Sequence, residues 1–198
     1  MATTHTLKAE TRTTIGSGKL NQLRKSGLVP AVVYGVGCDN VNIQVNAREF
    51  AQMLSEASSA HFLVDLQIDG TSKLSLLQEV QHNALTGEDM HIDFLAVNDN
   101  TDINSVVPIV LVGEAAGAAQ GGLLDQTMHE LHIHCNVKDL PEVIEVDVTS
   151  LALGGVLRLA DVKLPKGVTT PVHGDTPVAV VEAPAGSEEE ETPAPAAE

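Results

Sequence analysis

A chain of 198 residues with no Trp, one Tyr and three Phe has to build its interior from aliphatic side chains. At 43% hydrophobic residues it has enough Val, Leu, Ile and Ala to do so. A Val-rich text punctuated by glycine favours strands, because β-branched side chains pack well on a pleated surface and glycine supplies the turns between them. The expected fold is therefore mainly β with few helices. The length allows one large domain or two small ones.

Hydrophobic spacing divides the chain. Gly18–Ser26 reads as a short helix capped by Ser17 and ended by Gly27, with Leu20 and Leu23 turned inward. Pro30 opens the apolar run Ala31–Tyr34, a strand stopped by Gly35, and Val41–Val45 alternates as another. Asn46 starts a second helix, with Glu49 in capping-box position and Phe50, Met53, Leu54 and Ala57 on one face. A hairpin turns at Asp69-Gly70, and His91–Leu95 is a further strand. Five strands and two helices suit a small barrel or a strongly twisted α+β sheet. The polar stretch 97–105 reads as a joint. Beyond it the text is strand and turn, with a Gly/Ala-rich loop at 115–122, a helical turn near Leu159–Val162 and a last strand ahead of Pro184. The expected domains are 1–97, 98–183 and a disordered acidic tail at 184–198, where Glu, Pro and Ala have nothing to bury.

Charge is distributed unevenly. Lys8, Arg12, Lys19, Arg24 and Lys25 face only Glu10 in the first 26 residues, whereas the whole chain carries −16. Such an asymmetry fits a protein that meets a polyanion with one small face, since distal charge is screened beyond a Debye length of about 8 Å. On the first helix Asn21, Arg24 and Lys25 project together, with Lys19 and Gln22 alongside; a solvated helix face is the plainer reading. With almost no aromatics to stack on single-stranded bases, an RNA target is expected to be a structured duplex read by shape.

Other motifs carry less. Gly16-Ser17-Gly18-Lys19 lacks the earlier Gly and the following Ser or Thr of a phosphate loop, so it reads as a turn feeding a helix. In His129–Cys135, strand spacing places Glu130, His132 and His134 on one face and Leu131, Ile133 and Cys135 on the other. That is a solvated polar face, with zinc or nickel chelation by His132 and His134 as the sharper alternative. Cys38 has no neighbouring base, and no nucleophile–base ordering emerges, so no enzyme and no cofactor are expected. Two distant cysteines, a start without an apolar signal core and no run near 18 apolar residues point to a soluble, reduced, cytoplasmic protein with no disulfide and no membrane span.

The string Arg12-(x)3-Gly16-x-Gly18-(x)4-Leu23-Arg24-(x)2-Gly27-x-Val29-Pro30-Ala31-Val32-Val33-Tyr34-Gly35 resembles the opening of the bacterial large-subunit ribosomal protein L-twenty-five family, in its two-domain general stress protein (CTC) form. Thr86-Gly87-Glu88-(x)2-His91-Ile92-Asp93-Phe94, Asp139–Glu142 with Glu145–Val148, and Leu164-Pro165-x-Gly167-Val168 extend the resemblance over nearly all of 5–183. It implies an RNA-binding β-barrel, an all-β domain and a tail. It further implies docking on the loop E region of 5S rRNA within the 50S subunit, among neighbouring ribosomal proteins and with no small-molecule substrate. The RNA-facing positions it implies are Arg12, Lys19, Asn21, Arg24, Lys25, Tyr34, His91 and Asp93, the last holding His91 in one tautomer. Ser17 and Asn21-Gln22 stand where relatives commonly carry Lys and an Arg pair; Lys19 and Lys25 compensate in part, for a net loss of about one charge, and salt dependence should flatten by about one unit. The rival reading is an acidic protein-interaction or stress module, since 98–181 holds 11 acids to 4 bases.

Overall fold

The structure is a computed structural model; it describes residues 4–182 other than 14, 15, 36, 58 and 99, and of Ser17, Cys38 and Asp39 the backbone only. The tail expected at 184–198 lies outside the described residues.

The amino-terminal part is a closed six-stranded barrel with two helices. Its elements run β1 (Thr4–Thr11), α1 (Ser17–Lys25), β2 (Leu28–Gly35), β3 (Cys38–Asn46), α2 (Ala47–Glu56), β4 (Leu63–Ile68), β5 (Thr71–His82) and β6 (Asp89–Ala96). Around the barrel the order is β1-β3-β2-β6-β5-β4, and β1 closes it by lying parallel to β4 from Thr4↔Leu63 to Ala9↔Ile68. Closure leaves no strand edge unpaired. The sequence suggested five strands here. The sixth, β1, went unread because its inward residues are only Leu7 and Ala9, too few to show an alternation.

The interior is aliphatic as expected, with all three Phe gathered into it. Phe50, Phe62 and Phe94 are buried among Leu7, Val33, Ile43, Leu66, Leu77 and Ile92. Helix α2 seals one end. Asn46 Oδ1 accepts from the Arg48 amide at 2.9 Å, Phe50 and Met53 are buried, and Leu54 and Ala57 pack against the same core. The Asp69-Gly70 turn joins β4 to β5 with both residues at positive φ, 48° and 88°, as a tight hairpin turn of that sequence requires.

Helix α1 departs from expectation in two respects. Gly16, not Ser17, holds the cap position and offers no side-chain bond, and Leu20 and Leu23 are only partly buried. Gly27, at φ 81°, ends it as expected.

The rest of the chain is largely strand. β7 (Asp102–Val112), α3 (Ala116–Ala119), β8 (Leu123–Gln126), β9 (Glu130–Asn136), β10 (Ile144–Asp147), β11 (Val156–Arg158) and β12 (Pro177–Glu182) follow, with 3-10 turns at Val137–Asp139 and Leu159–Asp161. They form two three-stranded sheets, β10-β7-β9 and β11-β12-β8. Two expectations are corrected. The polar stretch 97–105 contains the start of β7, where inward Ser105 hid the alternation between Ile103 and Val107, and the Gly/Ala-rich loop holds the short helix α3. Mutual packing separates the chain into two compact units. One is built from Met1–Ile109, Glu130–Ile144 and Leu164–Val172, the other from Val110–His129, Glu145–Lys163 and the chain from His173 on.

Candidate nucleic-acid interface

One outer face of the barrel gathers most of the polar residues singled out from sequence. On β6 the inward residues Ile92 and Phe94 alternate with His91 and Asp93, which point out. His91 Nδ1 donates to Asp93 Oδ1 at 2.6 Å, leaving Nε2 for an outside partner. Register sets their neighbours: Gln81 opposes His91, Glu79 opposes Asp93, and Val32 of β2 lies beside Asp93. Tyr34 is partly buried on the same side of β2. Burial, then the carboxylates of Asp93 and Glu79, raise its hydroxyl above the ordinary phenol value, so at neutral pH it keeps its proton as a donor.

The two arginines are both tied to the barrel. Arg12 Nε donates to the Ile43 carbonyl at 3.1 Å and Nη2 to Asn42 Oδ1 at 3.3 Å, which fixes the chain leaving β1 against β3. Its pKa is lowered by burial and then by the charge of Arg24. Two guanidiniums thus share a positive field. Arg24 Nε and Nη2 both donate to the Met90 carbonyl, at 3.0 and 2.9 Å, and Nη1 donates to Asn21 Oδ1 at 3.0 Å. Sequence periodicity groups Asn21, Arg24 and Lys25 on one helix edge, and the three do stand together, with Arg24 partly buried and bonded to β6. Asn21, Arg24 and Lys25 wall a hollow of about 270 Å³ with Asn83, Glu88 and Met90. Lys19 and Lys25 are exposed.

The structure therefore brings Asn21, Arg24 and Lys25 beside the strand that carries His91 and Asp93, and places Tyr34 near Asp93. Arg12 joins them through its field on Arg24, and Lys19 sits on the exposed part of α1. Sequence reasoning missed Asn42, Glu79 and Gln81, whose places follow from strand register alone. No short-range signal could have found them.

The His-rich strand behaves as its alternation predicted: Glu130, His132 and His134 are exposed, and Leu131, Ile133 and Cys135 are buried. No group of three or more His, Cys, Asp or Glu among the described residues is placed to hold a metal ion. No helix among them is long and apolar enough to cross a membrane.

Two known families match parts of this chain. Residues 7–94 match the Ribosomal L25p family, and residues 102–185 match the C-terminal domain of ribosomal protein TL5. A large ribosomal subunit protein bL25 of Akkermansia muciniphila is 60% identical over 194 residues, which cover 98% of this chain and 96% of the relative. The chain belongs to the bL25 family. Proteins of the same description from Carboxydothermus hydrogenoformans and Pseudomonas syringae are each 38% identical, over 177 and 183 residues. These matches span 88% of both chains for the former and 90% of both for the latter. Membership makes the protein a structural constituent of the ribosome rather than an enzyme.

Proposed function

We propose that the protein binds 5S rRNA, at a duplex with the features of loop E, through the outer barrel face around α1, β2 and β6. This binding fixes it on the large subunit in the cytoplasm, beside neighbouring ribosomal proteins. In this reading residues 1–97 form the RNA-binding domain, 98–183 a second domain and 184–198 a solvated tail. Arg12, Lys19, Asn21, Arg24, Lys25, Tyr34, His91 and Asp93 make up the face. Lys19 and Lys25 approach phosphates. The open nitrogen of His91, the Tyr34 hydroxyl and the Asn21 amide reach sugar or base edges, as shape-reading of a duplex minor groove demands.

The observation that carries the proposal is the juxtaposition of the α1 cations with the His91–Asp93 pair on one surface of an otherwise acidic protein. Filter binding of a 5S rRNA transcript across a salt series tests it. Wild type should bind at low salt. Lys19→Ala with Lys25→Ala should flatten the plot of log K against log salt by about 0.9 per cation removed. Asp93→Ala, which releases His91, should cost about 1–3 kcal/mol of binding. Absence of binding at low salt would remove this reading and leave the acidic domain's protein contacts as the anchoring role.

A further inference from the structure

Helix α1 is well ended by Ser26 and Gly27 but weakly held elsewhere. It is nine residues long, has no side-chain bond at its N-cap, and buries none of its described side chains completely. Helices this short are marginal unless tertiary contacts fix them. Helix α2 of the same barrel has both an Asn46 cap and a buried Phe50–Met53 face. Besides its packing on β2, α1 is tied to β6 by Arg24. Its guanidinium grips the Met90 carbonyl side-on through Nε and Nη2, while Nη1 holds Asn21 Oδ1. The gripped carbonyl belongs to the peptide that leads into His91. Three N–H groups are thereby engaged inside the protein, and the geometry uses the planar fork that distinguishes Arg from Lys.

We infer that Arg24 is a positioning residue and not a phosphate ligand. It latches α1 to β6, so that Lys19, Asn21 and Lys25 stand in fixed register with His91 and Asp93. The same bond orients the Asn21 side chain: with Oδ1 committed to Arg24, its amide NH2 is the group left to face outward. This inference rests on the RNA-binding reading for its role and on the bond pattern alone for its existence, and the two can be tested apart.

A latch and a phosphate contact have different signatures. Loss of a phosphate contact flattens the salt dependence by about one unit, because one fewer counterion is released. Loss of a latch lowers affinity at every salt concentration and leaves the slope alone. The experiment uses the full chain with a 5S rRNA transcript over about 50 to 300 mM KCl, at a temperature where circular dichroism shows every variant folded. Arg24→Gln and Arg24→Lys should both lose about tenfold or more in affinity with the wild-type slope. Lys25→Ala should lose about one unit of slope. The Lys variant is the sharper arm, since it keeps the charge and loses the fork. Losses from Arg24→Gln and His91→Ala should be less than additive, because the first already displaces what the second removes. A helix stabiliser with no link to the strand would leave those losses additive.

Wild-type binding by Arg24→Lys, a slope reduced by about one unit in Arg24→Gln, or fully additive losses would each overturn the assignment. In the free protein, both Arg24 variants should speed hydrogen exchange at the amides of Leu20–Lys25, and unchanged exchange would overturn it as well. Should wild type fail to bind the transcript, the proposed function falls, while the exchange measurement still decides whether the latch exists.

Discussion

Gly35 shows how much one position can hold. At φ 129° it ends β2 beside β6, and a Cβ built there would lie 2.5 Å from the Ala96 carbonyl oxygen and 2.9 Å from Leu95 Cδ1. A backbone oxygen in a closed barrel cannot yield as a side chain can. Gly35→Ala should therefore lose about 2 kcal/mol or more of stability, read as a lower urea midpoint. Ser105 predicts the opposite sign. Its hydroxyl is buried on the apolar side of β7 with no hydrogen-bond partner among the described residues. Ser105→Ala should be neutral or stabilising by up to about 1 kcal/mol, because an unsatisfied polar group is removed with little lost volume. Cys135 makes a pH prediction. Burial first, then Asp139 and Asp102, raise its thiol pKa, so the folded chain keeps a proton that the unfolded chain releases above about pH 8.5. Its contribution is fully present below that pH and is lost as pH rises toward the folded value. The urea midpoint should fall between about pH 8 and pH 10, and Cys135→Ala should flatten that decline.

At the scale of elements, the two barrel helices contrast. Helix α2 was legible because its cap and apolar stripe are local in sequence: Asn46 precedes it, and Phe50, Met53, Leu54 and Ala57 recur at helical spacing. Asn46→Ala should cost about 1 kcal/mol in chemical denaturation, and Asn46→Asp should retain most of the capping. Phe50→Ala should cost about 3–5 kcal/mol, since the ring is wholly buried in the barrel core. Helix α1 and the grouping of Asn21, Arg24 and Lys25 on one edge are legible in the sequence, but the bond of Arg24 to Met90 is not. Periodicity places a side chain on a face; which carbonyl it then finds depends on β6, 66 residues away. Strand β1 marks the other limit, since two inward residues give no alternation and its partners, β3 and β4, lie far along the chain.

For the whole molecule, barrel closure is what leaves no strand edge open. The RNA-proposed face is assembled from α1, β2 and β6, of which the two strands pair directly, while β1 completes the ring between β3 and β4. Deleting residues 1–11 should expose both strand edges and yield aggregated protein by size-exclusion chromatography, although none of the buried Phe residues is removed. Charge acts at this scale too. The net −16 is carried away from the amino-terminal cations, so binding should be steep in salt yet confined to one surface.

Sequence alone determined the aliphatic β character, the capped helix α2, the Asp69-Gly70 hairpin, the two-faced His-rich strand and the family, because each rests on neighbouring residues or on a string of them. Tertiary structure decided that the barrel closes, that Gln81 and Glu79 stand opposite His91 and Asp93, and that Arg24 meets the Met90 carbonyl. Those outcomes depend on strand register and on contacts between distant segments. A local pattern restricts which faces are available but does not choose the partner that meets them.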